Sequence, residues 1–457
     1  MKLAHIQHLY NRVGFGITPK ELVRLSKKSK KNVINELFTT SHKTTLLTVD
    51  TSFLNNITAE DYKNKQRRRE LQKISRKKVY EFSIAWVQRL MNPSEILREK
   101  MTLFWANHFV CENKNILFIQ EYNNVLRTNA LGNFTDFTKN VSKQAAMLNY
   151  LNNKQNKKKS PNENYARELM ELFTLGQDQY TQTDIKESAR AFTGYFHNFK
   201  GEFTFKEKNH DDNEKTFLGK TGNFKGDDII DIILEKEQCA KFISEKIYSY
   251  FVNENINKSH VEEMTAVFYK EYNIENLMRF MLLSNWFYAD ENIGVKIKSP
   301  IEFIAGINTI VPFTFEKEKQ ILLLQKLLGQ VLMSPPNVAG WKTGRNWIDS
   351  NTIVTRLRLP SVLLNNAEIT YSDKGDEEST DTNFDEKKLR RKAFIKTKTA
   401  WKTFNENYKN SSHKELMQQV ITTKLNLGTE QMLLSNMQMP KQDFCVQLMS
   451  LPEYQLC

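Results

Sequence analysis

The amino-acid sequence predicts a mainly α-helical fold: a multi-helix globular array with a small β-hairpin insertion and a C-terminal helical region after an acidic linker. The 457-residue chain contains only 16 glycines and 10 prolines, so turns are few and long helices are favoured. Its hydrophobic share of 40% is sufficient for a core. Apolar residues recur at helical spacing in many segments. Together these observations predict one large helical unit.

The domain organisation follows from changes in composition along the chain. We expect a main helical domain over residues 1–368, an acidic linker over residues 369–388, and a C-terminal helical region over residues 389–457, packed on the main domain. The insertion, at about residues 195–224, alternates apolar and polar residues between glycines, which is typical of strands. The linker is acidic and poor in apolar residues, so we expect it to be a flexible surface segment.

Capping signals predict where several helices begin. Thr18-Pro19 and Asn92-Pro93 each match an N-cap followed by a proline at the first helical position. The sequence TAED, beginning at Thr58, matches a capping box at the start of a long helix that reaches about Met91. We therefore expect helices to begin at these three points.

The net charge of +13 suits an anionic partner, such as nucleic acid, an anionic polysaccharide or a lipid headgroup. A lysine- and asparagine-rich composition is also typical of an AT-rich genome, so charge alone does not identify a partner. Four scattered cysteines without a CxxC pair indicate neither a zinc motif nor a disulfide framework. No signal peptide or membrane span is visible. We expect a cytoplasmic protein as the sequence stands, exported if the true start lies upstream, and the oligomeric state stays open.

Several stretches carry a family resemblance. In order they are HLYNRVGFGITPKEL, LREKMTLFWANHFV, PNENYARELMELFTLG, DIKESARAFTGY, HDDNEKTFLG with GNFKGDDII, KSPIEF, and SPPNVAGWKTGRNWIDSNT. With these stretches the chain resembles, over nearly its whole length, the bacterial family named domain of unknown function 1800. The resemblance implies a mostly helical bacterial protein with no established activity, substrate or cofactor. The chain departs from the family at Tyr195, where tryptophan is usual, and in its longer acidic insertion near Glu377.

The stretch SPNENYARELMELFTLG predicts a helix with unusual charge. Ser160 matches an N-cap with Pro161 at the first helical position, and Gly176 matches a C-terminal stop. Glu163, Arg167 and Glu171 are spaced to form a ladder on one face.

Glu168 and Glu171, with Asn164 and Arg167 beside them, are the leading candidates for catalysis. They suit an acid and base, or oxygen ligands for a hard cation. The alternative is structural: Arg167 neutralises both carboxylates and fixes neighbouring helices. His108 completes the catalytic set if its helix packs against this one. A lone histidine on an apolar stripe is also a common core residue.

Three further groups are candidates for binding. His210 and Asp211 offer nitrogen and oxygen ligands for a divalent metal, although turn capping is the usual role of such a run. No organic cofactor is indicated. The loop SPPNVAGWKTGRNW offers either an aromatic platform for sugars or bases, or a plug that anchors the loop; its candidate residues are Asn337, Trp341, Arg345 and Trp347. The basic run over residues 63–78 offers polyanion binding or a solvated helix face; its candidates are Arg67, Arg68, Arg69, Arg76 and Lys77.

The leading functional hypothesis is a carboxylate-based hydrolase or lyase, with metal assistance as an option, that acts on a polymer such as a glycan. Patterns for P-loop, Rossmann, zincin and nucleophile-elbow enzymes are missing from the sequence, which argues against those classes. One alternative is a non-catalytic binding or assembly protein with a structural charge network. A second is a protein that binds nucleic acid or another polyanion through the basic helix.

Overall fold

The computed structural model describes residues 1–367 and 395–457, and the predicted acidic linker, residues 369–388, lies outside these residues. The described residues form 22 α-helices and six short strands. The predicted mainly helical fold is therefore confirmed.

The helices are numbered here in chain order. They are α1 (Leu3–Val13), α2 (Pro19–Ser26), α3 (Lys30–His42), α4 (Ala59–Lys63), α5 (Lys65–Met91), α6 (Ile96–His108), α7 (Ile116–Asn129), α8 (Phe134–Ser142), α9 (Ala145–Tyr150), α10 (Asn164–Glu168), α11 (Gln182–Ala191), α12 (Gly226–Leu234), α13 (Glu237–Phe251), α14 (Lys258–Phe268), α15 (Ile274–Leu283), α16 (Pro300–Ile310), α17 (Lys319–Leu328), α18 (Ser350–Asn365), α19 (Trp401–Asn407), α20 (His413–Val420), α21 (Leu427–Ser435) and α22 (Lys441–Met449). A π-helical turn, Leu169–Thr174, continues α10.

The strands form three separate antiparallel pairs. β1 (Tyr195–His197) pairs with β2 (Phe203–Phe205), and β3 (Lys215–Phe217) pairs with β4 (Lys220–Gly222). The predicted insertion thus contains two hairpins. β5 (Phe313–Phe315) pairs with β6 (Thr397–Thr399), which joins segments on either side of the linker.

Two predicted helix starts are confirmed and two are wrong. The Thr18 side chain accepts a hydrogen bond from the Glu21 N–H, and Thr58 forms a capping box with Asp61. The long helix that follows Thr58 is interrupted at Asn64, which caps α5. The helix predicted at Asn92 begins at Ile96, and the helix predicted at Pro161 begins at Asn164. In both cases the proline lies in a non-helical segment, two or more residues before the first helical residue.

The hydrophobic core is built around helices that are buried on more than one side. Eleven of the thirteen residues of α6 are buried, including the charged residues Arg98, Glu99 and Lys100. α16 is likewise buried along nearly its whole length and carries Glu302 inside the protein. Because buried charges need partners, α6 and α16 position the polar network described below.

Candidate functional site

The helix that carries the predicted catalytic carboxylates is not a regular α-helix. From Leu169 it widens into a π-helical turn, which displaces the later residues from α-helical phase. The ladder is therefore only half formed. Arg167 Nη2 lies 3.4 Å from Glu163 Oε2, whereas Glu171 accepts hydrogen bonds from the Tyr180 hydroxyl and the Gln177 amide, each at 3.1 Å.

Side chains from other helices donate hydrogen bonds to the carbonyls of this turn. His108 Nε2 lies 3.0 Å from the Phe173 oxygen, Lys246 Nζ lies 3.0 Å from the Leu172 oxygen, and Gln238 Nε2 lies 3.0 Å from the Leu175 oxygen. Burial lowers the pKa of Lys246 to about 8. These contacts satisfy carbonyls that the end of a helix leaves without partners.

His108 lies in the core, among Phe104, Trp105, Phe109 and Phe173. It is 3% exposed, and burial, followed by the charge of Lys246, holds its pKa well below the usual range. Since the Phe173 carbonyl can only accept, the ring is the neutral tautomer with its proton on Nε2. The observed partner of His108 is a backbone carbonyl of the π-helical turn.

Glu168 is half-buried, and no described residue donates a hydrogen bond to its carboxyl group. Burial raises its pKa, and the charge of Glu171 adds to this effect while Arg167 opposes it. The neighbouring Asn164 is exposed. Of the predicted catalytic residues, Glu168 is the one whose environment suits a general acid.

The remaining predicted residues lie apart in other local networks. Asp211 accepts a hydrogen bond from Arg190 Nε at 2.7 Å, and although burial opposes it, this contact lowers the pKa of Asp211 to about 2. His210 Nδ1 contacts the Thr193 oxygen at 2.9 Å, while its buried Nε2 has no partner among the described residues. Within residues 1–367 and 395–457, no group of three or more His, Cys, Asp or Glu side chains is placed to hold a metal ion.

Trp341 anchors its loop on the core. The tryptophan is 5% exposed, its indole donates to the Val331 oxygen at 3.2 Å, and its backbone N–H donates to Asn107 Oδ1 at 2.7 Å. Trp347 is buried to the same degree, whereas Asn337 and Arg345 are exposed. The structure therefore places the two tryptophans inside the protein and the two polar residues at its surface.

The basic run lies on α4 and the exposed first half of α5. Arg67 is paired with Glu70 at 3.3 Å and lies 3.9 Å from Asp61. The other four predicted residues are exposed and make no ion pair with a described residue; they are Arg68, Arg69, Arg76 and Lys77.

Sequence reasoning missed a buried cation cluster. It consists of five cations, all of them buried, around the single buried carboxylate of Glu302; the cations are Arg12, Lys100, Lys296, Lys298 and Arg356. They come from α1, α6, the segment before α16, and α18. An excess of positive over negative charges inside a protein is destabilising unless a further anion compensates it.

Glu302 is the centre of this cluster. Its carboxylate is paired with Lys100, lies 3.8 Å from Lys296 Nζ, and accepts hydrogen bonds from the Ser299 N–H at 2.7 Å and the Tyr250 hydroxyl at 3.4 Å. Burial alone would raise the pKa of Glu302, but Lys100 and Lys296 hold it well below its usual value. Glu302 is therefore ionised at neutral pH.

The other cations are held mainly by neutral oxygens. Lys298 Nζ donates to the Tyr454 oxygen at 2.8 Å, and Arg12 donates to the Asn292 oxygen at 2.7 Å. Arg356 binds the Lys298 oxygen at 2.6 Å and Gln455 Oε1 at 2.8 Å. Buried guanidinium nitrogens of Arg12 and Arg356 lack a partner in the described part of the chain. Burial lowers the pKa of Lys296 and of Lys298 to about 8.

A narrow cleft leads from the surface to this cluster. Most of its exposed wall is apolar, with carboxylate, ammonium, hydroxyl and amide groups among the apolar ones; the lining residues are Leu103, Asn107, Tyr250, Lys296, Ile297, Ser299, Glu302, Gln330, Lys342, Thr343, Gly344 and Trp347. Of the residues predicted from sequence, Trp347 lies here. The cleft thus offers Lys296 at its base and the exposed Lys342 at its rim.

A signal for this site was present in the sequence. Lys100 and Glu302 each lie within a strongly apolar helical segment, where a charged residue is unusual. Both belong to stretches that carry the family resemblance, as do Arg12 and Lys342. Their convergence required the tertiary fold.

The fold and this cleft define a mainly helical protein in which separate motifs enclose a cationic site. The model of a protein family described as a protein of unknown function (DUF1800) matches residues 8–456. The chain therefore belongs to the DUF1800 family. Neither a curated protein nor a solved structure matches it. No helix within the described residues is both long and apolar enough to cross a membrane.

Proposed function

We propose that the protein binds the acidic groups of a polymer, an acidic glycan being the leading ligand class, in the cleft beside Glu302, and acts on that polymer. The observation that supports this proposal is the excess of buried cations over the single carboxylate of Glu302. An anionic group in the cleft would compensate that excess, because electrostatic interactions are strong where water is excluded.

The lining of the cleft suits a carboxylate or a similar anion. Lys296 provides an ammonium group, and Lys342, which lies 3.9 Å from the Asp349 carboxylate, provides a second one at the rim. The Thr343 hydroxyl is a further donor. If Cys457 carries the α-carboxylate, the chain itself adds one negative charge nearby, and the five cations still outnumber the anions. The cleft is narrow, so one acidic group enters while the rest of the ligand stays outside.

Chemistry by paired carboxylates would need a second acidic group near the ligand, since glycoside hydrolysis commonly uses two. Among the lining residues only Glu302 is acidic, and that carboxylate is already paired with Lys100. The carboxylate of the exposed Glu254 lies beside Gly344 at the rim. The hydrolase or lyase hypothesis therefore rests on Glu168, whose raised pKa beside Glu171 favours a general acid. The non-catalytic alternative keeps the cleft as a binding site and gives the carboxylates a structural role.

Calorimetry with oligogalacturonate tests the binding site. We expect Lys296→Met to weaken binding by about tenfold or more, the usual scale for removing a close charge partner. Lys298→Met removes an equally buried cation that does not line the cleft, and its effect on binding should be smaller. Equal binding by the wild type and Lys296→Met would contradict the proposal.

Binding should also depend on pH. The pKa of Lys296 is lowered to about 8, and a bound anion would raise it again. Binding near pH 8 should therefore take up a proton, and affinity should fall as the pH rises through 8. Calorimetry in buffers of different ionisation enthalpy measures this uptake, which Lys296→Met should abolish.

Product analysis of the same oligomers tests catalysis. Glu168→Gln should abolish any chain cleavage, whereas Glu163→Gln, a change at an exposed surface pair on the same helix, should not. Unchanged cleavage in Glu168→Gln would remove Glu168 from the mechanism. Binding without cleavage by the wild type would favour the non-catalytic alternative.

A further inference from the structure

We propose that a second surface, separate from the cleft, binds an anionic polysaccharide chain. This basic face is formed by the β1–β2 hairpin, the segment after α9, and α4. Its residues are Tyr62, Lys154, Phe196, Phe199, Lys200 and Lys206. It extends the proposed function to a further site, and it shares with that function only the class of ligand.

Two ammonium groups lie close to one aromatic ring of this face. Lys206 Nζ lies 3.2 Å and Lys154 Nζ lies 4.6 Å from the centroid of Phe196. Neither lysine makes an ion pair with a described residue. Two like charges held on one ring repel each other, and an anion between or above them would relieve that repulsion.

The environment of Lys154 agrees with this geometry. Burial lowers its pKa, and the charge of Lys206 lowers it further. The fold therefore holds Lys154 near a second cation, Lys206. No acidic side chain among the described residues pairs with Lys154.

The face continues from the hairpin to the basic helix. Lys200 Nζ lies 5.9 Å from the centroid of Phe199, and that ring lies 6.1 Å from the ring of Tyr62 on α4. α5 begins two residues after α4 ends, and it carries the exposed Arg68 and Arg69 near its start. On the other side, the backbone N–H of Lys158 donates to the Asn209 oxygen at 2.8 Å, which places Lys157–Lys159 beside the segment after β2.

The arrangement of the rings favours a polysaccharide over single-stranded nucleic acid. Recognition of unpaired bases needs free aromatic faces on which bases stack. Here ammonium groups already cover Phe196 and lie near Phe199. The face thus offers spaced positive charges with apolar contacts between them, which suits carboxylate or sulfate groups along a sugar chain.

The test is binding of long polygalacturonate chains to the full chain, measured over a range of salt concentrations. Lys154→Gln/Lys206→Gln should weaken binding by about tenfold at low salt and reduce the slope of log affinity against log salt by about two. The control is Lys258→Gln/Lys270→Gln on and just beyond α14, which removes the same charge from exposed lysines that make no ion pair with a described residue. This control should bind as the wild type does.

The outcomes separate this proposal from the cleft. Lys296→Met should lose binding of short oligomers but keep the salt-dependent binding of long chains. The proposal for the cleft and the proposal for the basic face can therefore be refuted separately. Equal affinity of the wild type and Lys154→Gln/Lys206→Gln would overturn the basic face. Tighter binding of single-stranded oligothymidylate than of polygalacturonate, lost in the same double variant, would overturn the ligand class.

Discussion

At the scale of single residues, Gly340 shows how the tryptophan loop is built. Its φ of +91° is in the region that favours glycine, and a Cβ there would lie 2.3 Å from Asn107 Oδ1. That oxygen accepts the hydrogen bond from the Trp341 N–H. A side chain at Gly340 would therefore disturb both the backbone and the contact that holds the loop beside the cleft.

We predict that Gly340→Ala lowers the free energy of unfolding by about 2–4 kcal/mol, from backbone strain plus the clash. Gly329→Ala is the matched control, because Gly329 has a φ of +80° but no heavy atom within 4 Å of its added Cβ. It should cost only about 1 kcal/mol, from strain alone. Urea denaturation measures both, and equal losses would refute the role of Asn107.

The surroundings of individual residues followed from the sequence to different degrees, for physical reasons. Residue type and helical spacing placed His108 on an apolar stripe, and the structure buries it there, because burial follows the period of a helix. The same reasoning left the position of Trp341 open, since a tryptophan can stack on a ligand or fill the core. The choice between them depends on contacts such as the one from Trp341 to Val331, which are distant from any local pattern.

At the scale of secondary-structure elements, the π-helical turn is the feature that no capping rule predicted. It changes the partner of Glu171 from Arg167 to Tyr180, and it directs carbonyls toward His108, Lys246 and Gln238. The donors come from α6 and α13, so the turn is specified by tertiary contacts.

His108 should make stability depend on pH. Burial keeps it neutral in the folded protein, whereas the unfolded chain takes up a proton below an ordinary pKa of 6.5. The unfolded state then binds more protons, so stability is lost as the pH falls. The expected loss approaches about 1.4 kcal/mol per pH unit below 6.5.

Comparing the wild type with His108→Gln isolates this effect, because other acid-sensitive groups are present in both. The variant should be less stable at pH 7.5, and the difference between the two proteins should shrink as the pH falls from 6.5 to 5. Thermal or urea unfolding over that range provides the measurement. A difference that stays constant with pH would show that the ring is not kept neutral by burial.

At the scale of the whole molecule, the segments on either side of the linker are connected by specific polar contacts. β5 pairs with β6, and Ile297 forms an antiparallel bridge with Leu456. Arg356 also binds Gln455, and Lys298 binds the Tyr454 oxygen. The C-terminal segment thus contributes to the surroundings of the buried cations.

The sequence could predict the helical class and the family at this scale, because both depend on local patterns and on the order of motifs. It could not predict the cleft. Arg12, Lys100 and Glu302 are far apart along the chain, and each stretch alone resembles an ordinary helix or loop. The division into a main domain and a C-terminal region stays a prediction.

The connections predict that the chain folds as one cooperative unit. Fragments 1–394 and 395–457, expressed together, should associate and copurify, because separating them would expose buried side chains such as Tyr454 and Phe444 to water. Arg356→Met should weaken this association, since it removes the guanidinium contacts to Gln455 and the Lys298 oxygen. Arg76→Met on α5 also removes a guanidinium, but at an exposed residue outside these contacts; it is the control and should leave the association intact. If fragment 1–394 alone is folded and binds oligogalacturonate as the intact chain does, the C-terminal segment does not support the cleft, and the cation cluster is stable without the contacts of Tyr454 and Gln455.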